Sequence, residues 1–255
     1  MTLSQKDKSR NRVHGDVSGR GDSVRASLIL LAAALAAAPA SAAVIVSVEG
    51  AGVTAPTSAG YTYSKETLNN AINGGSALNF GNSGITGTTS SGWITIADAN
   101  VYGGVGGTGK YGSVSGSATI NLSSAVNYFG LWGSALDGNN AVALYNNDTL
   151  LGTWALQAVL QGSPSFNSAY YGNPFGGGNT GEAYAFFNFK SDTAFNKVQL
   201  IQNGGGGFEF DDLTVGQSIV GAAPDPATWM TMLGGFALIG AALRRRRMGT
   251  TVPAH

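Results

Sequence analysis

Short apolar runs recur between residues 43 and 221, and turn formers bound most of them: Gly, Asn, Ser and Asp. They fall at Val44 to Val48, Trp93 to Ile96, Ala118 to Leu122, Val126 to Trp132, Ala141 to Tyr145, Thr149 to Leu156, Ala183 to Phe189, Phe195 to Gln202 and Gly207 to Val215. Alternate positions of a strand face opposite sides of a sheet, so this many short runs in one stretch predict an all-β domain, an antiparallel β-sandwich or jelly roll. Asn146-Asn147-Asp148 is a hairpin turn that pairs Ala141 to Tyr145 with Thr149 to Leu156. Only Ser64 to Ile72 reads as a helix, with Ser64 as N-cap and Asn73-Gly74-Gly75 as its stop. In the last strand Phe208, Phe210 and Asp212 share one face, with Glu209, Asp211 and Leu213 on the other.

Two further apolar segments have a different pattern. Leu28 to Ala38 is a continuous Leu- and Ala-rich run with Arg25 before it and Ala40-Ser41-Ala42 after it, which fits a signal peptide cleaved to leave Ala43 first. The polar stretch ahead of it is long, and a start at Val24 gives a more compact leader. At the other end, Pro224-Asp225-Pro226-Ala227-Thr228-Trp229 leads into the apolar run Met230 to Leu243, closed by Arg244, Arg245, Arg246 and Arg247. A helix from Trp229 to Leu243 spans roughly 22 Å at about 1.5 Å per residue, short against a bilayer core of roughly 30 Å, but snorkelling arginines and local thinning can accommodate it. The arginines then stay cytoplasmic and the preceding domain faces outward. The predicted organisation is a signal helix within 1–42, the β-domain over 43–221, and a tail over 222–255 with a transmembrane helix.

The tail's three-part order resembles the PEP-CTERM sorting signal of Gram-negative surface proteins: Pro224, Asp225, Pro226 and Trp229, then a short Gly-containing hydrophobic helix, then the Arg cluster. The family has Glu between the prolines where this chain has Asp225, a carboxylate one methylene shorter. The resemblance implies processing by an exosortase, transient membrane anchoring of a precursor, and a cell-surface or extracellular destination linked to exopolysaccharide or biofilm. The segment Tyr128-Phe129-Gly130-Leu131-Trp132-Gly133-Ser134 with Asp137 and Asn140, together with Phe208-Glu209-Phe210-Asp211-Asp212-Leu213, is similar to the body of a subgroup of those proteins.

Charge narrows the chemistry. The chain is formally neutral, yet between Ala43 and Ala223 only four lysines stand against ten acids, a net charge of −6, and that span holds no Arg and no His. An acidic surface without guanidinium groups repels phosphate backbones, which excludes nucleic acid as a partner. The absence of His and Cys from the span removes nucleophilic triads and zinc sites. The Gly-rich run Gly104-Val105-Gly106-Gly107-Thr108-Gly109-Lys110-Tyr111 matches nucleotide fingerprints in letters only. No helix follows it, and Tyr111 stands where a hydroxyl ligand is needed, so it reads as a loop.

Oxygen chemistry remains. Calcium is the metal these carboxylates would suit, with Glu49, Asp211 and Asp212 as ligands if the first and last strands meet; no other cofactor is indicated. A carboxylate pair for glycosidic hydrolysis cannot be Asp211 with Asp212, which point to opposite faces; pairs such as Asp137 with Glu182 are possible but have no support in the sequence. Tyr170, Tyr171 and Phe175, in the long loop from Gln161 to Gly181, are candidate sugar-stacking rings. The expectation is an exported, non-enzymatic surface or matrix protein associated with exopolysaccharide. The alternatives are a carbohydrate-active enzyme with a carboxylate pair and a purely structural, self-associating matrix protein.

Overall fold

Twenty-residue strands dominate the computed structural model, which describes residues 43–91, 94–219 and 226–247. The strands are β1 (Val44–Val48), β2 (Tyr61–Glu66), β3 (Ala77–Asn79), β4 (Thr86–Ser91), β5 (Thr95–Asp98), β6 (Lys110–Val114), β7 (Ser117–Leu136), β8 (Asn140–Asn146), β9 (Thr149–Ala155), β10 (Ala183–Gln202) and β11 (Phe208–Ser218). All named pairings among them are antiparallel. The mostly antiparallel, all-β architecture follows the sequence pattern.

The eleven strands form one continuous sheet that folds over on itself. β7 and β10 run through both leaves, and each corresponds to two of the runs separated in the sequence. The break between those runs marks a bend: Ser123, Ser124 and Ala125 are exposed, and the β7–β10 register shifts around Phe195. Beyond the bend, Tyr128 to Leu136 lies between β10 and β11 in a first leaf that also holds β1, β2, β6 and β5. Before it, Ala118 to Leu122 lies between β10 and β4 in a second leaf that holds β3, β8 and β9. Phe129, Leu131, Phe187, Phe189, Phe208 and Phe210 of the first leaf share one core with Ile120, Val142, Leu144, Val198 and Leu200 of the second. Trp154 of β9 reaches across to Phe189, with ring centroids 5.5 Å apart.

The β8–β9 hairpin forms as the turn residues predict, with Asn146 opposite Thr149 and Asn147 at φ 53°. The helix expected from Ser64 to Ile72 is corrected. Ser64, Lys65 and Glu66 end β2, which pairs with β11 from Leu213 to Ser218. The sheet wins because Tyr63 packs edge-on against Tyr128 at 4.8 Å, while the Glu66 carboxylate accepts the backbone N–H groups of Leu68 and Asn79, bonds a helix would not offer. Leu156, read as the end of a strand, instead opens the short helix α1 (Leu156–Gln161), which buries Leu156 and Leu160.

Leu213 also changes face. Asp212 sits at φ 49° where the β11–β7 register shifts, so a bulge moves Leu213 into the main core and separates it from Glu209 and Asp211. In the tail, α2 (Pro226–Arg247) is helical and its Leu233, Phe236, Leu238 and Ile239 are exposed. Among the described residues no helix is long and apolar enough to cross a membrane, α2 included. The expected signal peptide, Trp93, Pro224 and Asp225 lie outside the described residues, as does the side chain of Trp229.

Candidate active site

The first leaf has a second buried face. Opposite the core, β7 presents Tyr128, Gly130, Trp132 and Ser134, and their neighbours in register are Asn188 and Phe186 of β10 and Asp211 and Glu209 of β11. Trp132, Ala135, Tyr184 and Phe186 form their own buried cluster there, covered by Val105 and Phe175 from two loops. Trp132 and Phe175 stand 5.6 Å apart.

The Gly-rich loop provides part of that cover. Its Val105 N–H donates to Asp211 Oδ2 at 2.9 Å, and Val101 O accepts the Tyr184 hydroxyl at 2.7 Å and the Asn173 amide at 3.3 Å. Gly104 takes φ 101°, and a Cβ there would lie 2.8 Å from the Ala99 backbone. Gly104→Ala is therefore expected to cost about 2 kcal/mol or more. Thermal unfolding measures that loss, and hydrogen exchange at Val105 reports whether the loop has come away from Asp211.

At one end of this face lies a pocket of about 300 Å³, lined by Tyr102, Ala135, Asp137, Glu182, Gly206, Gly207 and Glu209. Strand pairing explains how three carboxylates distant in sequence meet. Leu136 pairs with Ala183, so Asp137 leaves β7 where Glu182 enters β10, and Glu209 lies opposite Ser134 on the neighbouring strand. Glycines leave room for the acids. A Cβ on Gly207 would overlap Glu209 Oε1, and one on Gly206, at φ 99°, would stand 3.3 Å from Asp137 Oδ2. Asp137 accepts the Asn139 N–H at 2.7 Å, and Glu182 accepts the Asn179 amide at 2.5 Å.

Glu209 is displaced from its ordinary value. Burial pushes the Glu209 carboxyl up to about 7; its own backbone N–H opposes this, and the Glu182 and Asp137 carboxylates add to the rise. Tyr184 is pushed up to about 12, chiefly by burial and further by Glu182 and Glu209. Near neutral pH the pocket can thus hold a protonated Glu209 carboxyl next to the side chains of Asp137 and Glu182, with the half-exposed Tyr102 ring in its wall.

The candidates read from sequence are distributed differently. Glu49 follows β1, which pairs with β10 and not with β11, so the strands that calcium binding required do not meet. Glu49 instead accepts from Thr57 and Asn188, Asp211 from two backbone N–H groups, and Asp212 pairs with Lys65 at 2.8 Å. Among the described residues no group of three ligating side chains could hold a metal ion. Tyr170 offers no ring face for a sugar: it is buried in the main core and its hydroxyl donates to Glu49 O at 2.8 Å. Tyr171 is exposed, and Phe175 packs on Trp132. Asp137 and Glu182, one example of the pairs the sequence allows without supporting, share a pocket with a third acid, Glu209, that the sequence does not single out. Glu209 was legible only as the residue following Phe208 on a strand whose pairing the sequence does not state.

No protein-family model and no curated protein matches the chain. Solved structures similar to it include two catalytic domains of a GH87 alpha-1,3-glucanase, one an Asp-to-Ala variant in complex with tetrasaccharides and one an Asp-to-Ala variant in complex with nigerose. They are 16% and 17% identical to it, each at a TM-score of 0.35. Each match covers 66% of this chain and 30% of the other. The expectation of a non-enzymatic protein runs counter to these similar structures, which are catalytic domains of a glucanase. A TM-score of 0.35 assigns neither reaction nor substrate, and the chemistry has to be read from the pocket itself.

Proposed function

We propose that the pocket at Asp137, Glu182 and Glu209 is a saccharide site in which carboxylates act on a glycosidic bond. The observation that carries this reading is the meeting of three acids in one cavity, with Glu209 pushed up to about 7. A carboxyl of that kind is half protonated at neutral pH and can give its proton to the leaving glycosidic oxygen. Asp137 or Glu182, as a carboxylate, takes the complementary part, either removing a proton from the attacking water or attacking the anomeric carbon itself. The Tyr102 ring provides an apolar wall for a sugar face. The two leaves, read as a β-sandwich of the jelly-roll kind, provide the rigid frame. Incubating the protein with soluble and insoluble glycans, α-1,3-glucan among them, tests the reading by release of reducing ends. No release and no binding across the panel would sink it.

From the tail pattern we also infer export and exosortase-type sorting to the cell surface, with Pro224, Asp225, Pro226 and Trp229 as the recognition segment, Arg244 to Arg247 holding the precursor's orientation in the inner membrane, and extracellular polysaccharide as the substrate at hand. Intact mass from cells with and without an exosortase tests this. Loss of the region after Pro224 only when the enzyme is present supports it, and an unchanged tail in both strains overturns it.

A further inference from the structure

The Gly-rich loop joins β5 to β6 and is held to the rest of the protein at few points. Ala99 N–H donates to Gly109 O at 2.9 Å and closes its base, and Val101 O, which accepts from Tyr184 and Asn173, fixes its entry. From Gly103 to Thr108, among the described residues, the hydrogen bond that reaches the sheet is Val105 N–H to Asp211 Oδ2. Gly103 O and Gly104 O accept from the loop itself, from the N–H groups of Asn100 and Gly107. Gly104 at φ 101° and Gly109 at φ 78° lie near the two ends of this span, and a residue without Cβ moves through such angles at little cost. One hydrogen bond thus latches a segment that has a hinge near each end.

The segment covers an aromatic floor. Val105 packs on the cluster of Trp132, Ala135, Tyr184 and Phe186, and that floor runs into the pocket, since Ala135 belongs to both and Tyr102 of the same loop stands in the pocket wall. The latch is a buried carboxyl: each oxygen of Asp211 has one donor, the N–H of Val105 or of Asp212, where an ionised carboxylate can accept about four hydrogen bonds. Asp212 and Glu209 lie on its own strand, while β2 brings Lys65, β7 the uncharged Trp132, β6 Tyr111 and β10 Tyr184. The span from Gly103 to Thr108 carries no charge. Lys65, the cation of this set, is already paired with Asp212 at 2.8 Å.

We propose that residues 103–108 form a lid over Trp132, latched by the protonated Asp211 carboxyl and released when Asp211 ionises. The closed lid keeps water from the carboxyl and so favours its neutral form; lifting the lid lets water complete the solvation of the ion. Ionisation also strengthens the bond from Val105 N–H, yet the two N–H groups do not offset burial, which leaves the carboxyl up at about 7 in the closed protein. With the lid open the hydrated group titrates near the ordinary aspartate value of about 3.9. Opening therefore gains up to about tenfold for each pH unit between those two values and levels off above the higher one. The floor beside the pocket is shut in acid, where Glu209 is protonated, and is uncovered toward neutrality. The lid does not depend on which ligand the pocket takes.

Hydrogen exchange at the Val105 amide of the full chain, followed from pH 5 to pH 8 and expressed as protection relative to an unstructured peptide, decides the matter without any ligand. Protection is expected to fall about tenfold or more between pH 5 and pH 7 and then to level off. Dilute urea should leave it unchanged, because a local opening exposes little surface, whereas protection in the core strand at Val142 falls with urea. Acrylamide quenching of Trp132, taken as the difference between the protein and Trp132→Phe, should rise over the same pH range. In Asp211→Asn the protection of Val105 should no longer depend on pH. Protection that stays constant or rises between pH 5 and pH 7 would overturn the latch, and so would a fall that follows Val142 in urea, which is global unfolding. Loss of protection with no change in Trp132 quenching would overturn the lid, since the floor then stays covered. The pH and urea series use the unmodified protein, so the result stands even if a variant misfolds.

Discussion

Glu209→Gln is expected to lower turnover of a saccharide substrate by about a hundred- to ten-thousand-fold while leaving binding within a few-fold. The substitution keeps the shape of the side chain and removes the proton that protonates the leaving group. The pH profile makes the test specific. With the Glu209 carboxyl at about 7, the acid is present below neutrality and lost above it, so the alkaline limb of turnover should fall through pH 7. That limb should vanish from whatever activity Glu209→Gln retains, and a leaving group that departs without protonation should restore much of the rate. If Glu209→Gln retains full turnover with an unchanged alkaline limb, Glu209 is not the acid. Asp137→Asn and Glu182→Gln separate the complementary roles: the one that acts on water or the anomeric carbon loses turnover, and the one that only holds the sugar loses affinity.

The second large effect concerns stability. Asp211 is only 3% exposed, and burial pushes its carboxyl up to about 7 despite the N–H groups of Val105 and Asp212 that favour the charged form. In the unfolded chain an aspartate titrates near 3.9. Between those values the folded protein holds a proton that the unfolded chain has released, so stability falls as pH rises. The contribution is complete below about pH 4 and gone above about 7, and for a single group with this displacement it is on the order of 4 kcal/mol at most. Glu209 acts in the same direction over the same window, and Asp212, raised by burial and partly held down by Lys65, adds to it. Urea unfolding at pH 5 and pH 8 should therefore give a higher midpoint at pH 5, and Asp211→Asn should flatten the profile between them. A midpoint that rises toward pH 8, or an unflattened profile in the variant, would mean that Asp211 is charged in the folded protein.

The two predictions depend on different parts of one face. Glu209 is open to the pocket, whereas Asp211, two residues on, is sealed beneath the Gly-rich loop. The loop's glycines let the backbone bring the Val105 N–H onto a carboxylate and close over Trp132.

Much of the β-domain was legible because its signals are local. A period of two marks a strand wherever one side is buried, and Asn146 to Asp148 mark a hairpin because the turn itself selects the residues that can take positive φ. Residue counting was equally local: a β-domain without His or Cys has no side chain for His- or Cys-based chemistry, whatever its fold. The sequence could not reveal that Val126 to Trp132 and Ala118 to Leu122 belong to one bent strand, that Asp212 carries a bulge which turns Leu213 inward, or that Ser64 to Glu66 pair with β11 instead of coiling. Each of those depends on the partner strand, and pairings between residues far apart in the chain leave no periodic trace in either segment. The site follows the same division. Asp137, Glu182 and Glu209 each look like an isolated surface acid in the sequence; only the register of β7 with β10 and β11 gathers them at one sheet end, where partial loss of water and mutual repulsion turn three ordinary carboxylates into an acid beside its partners.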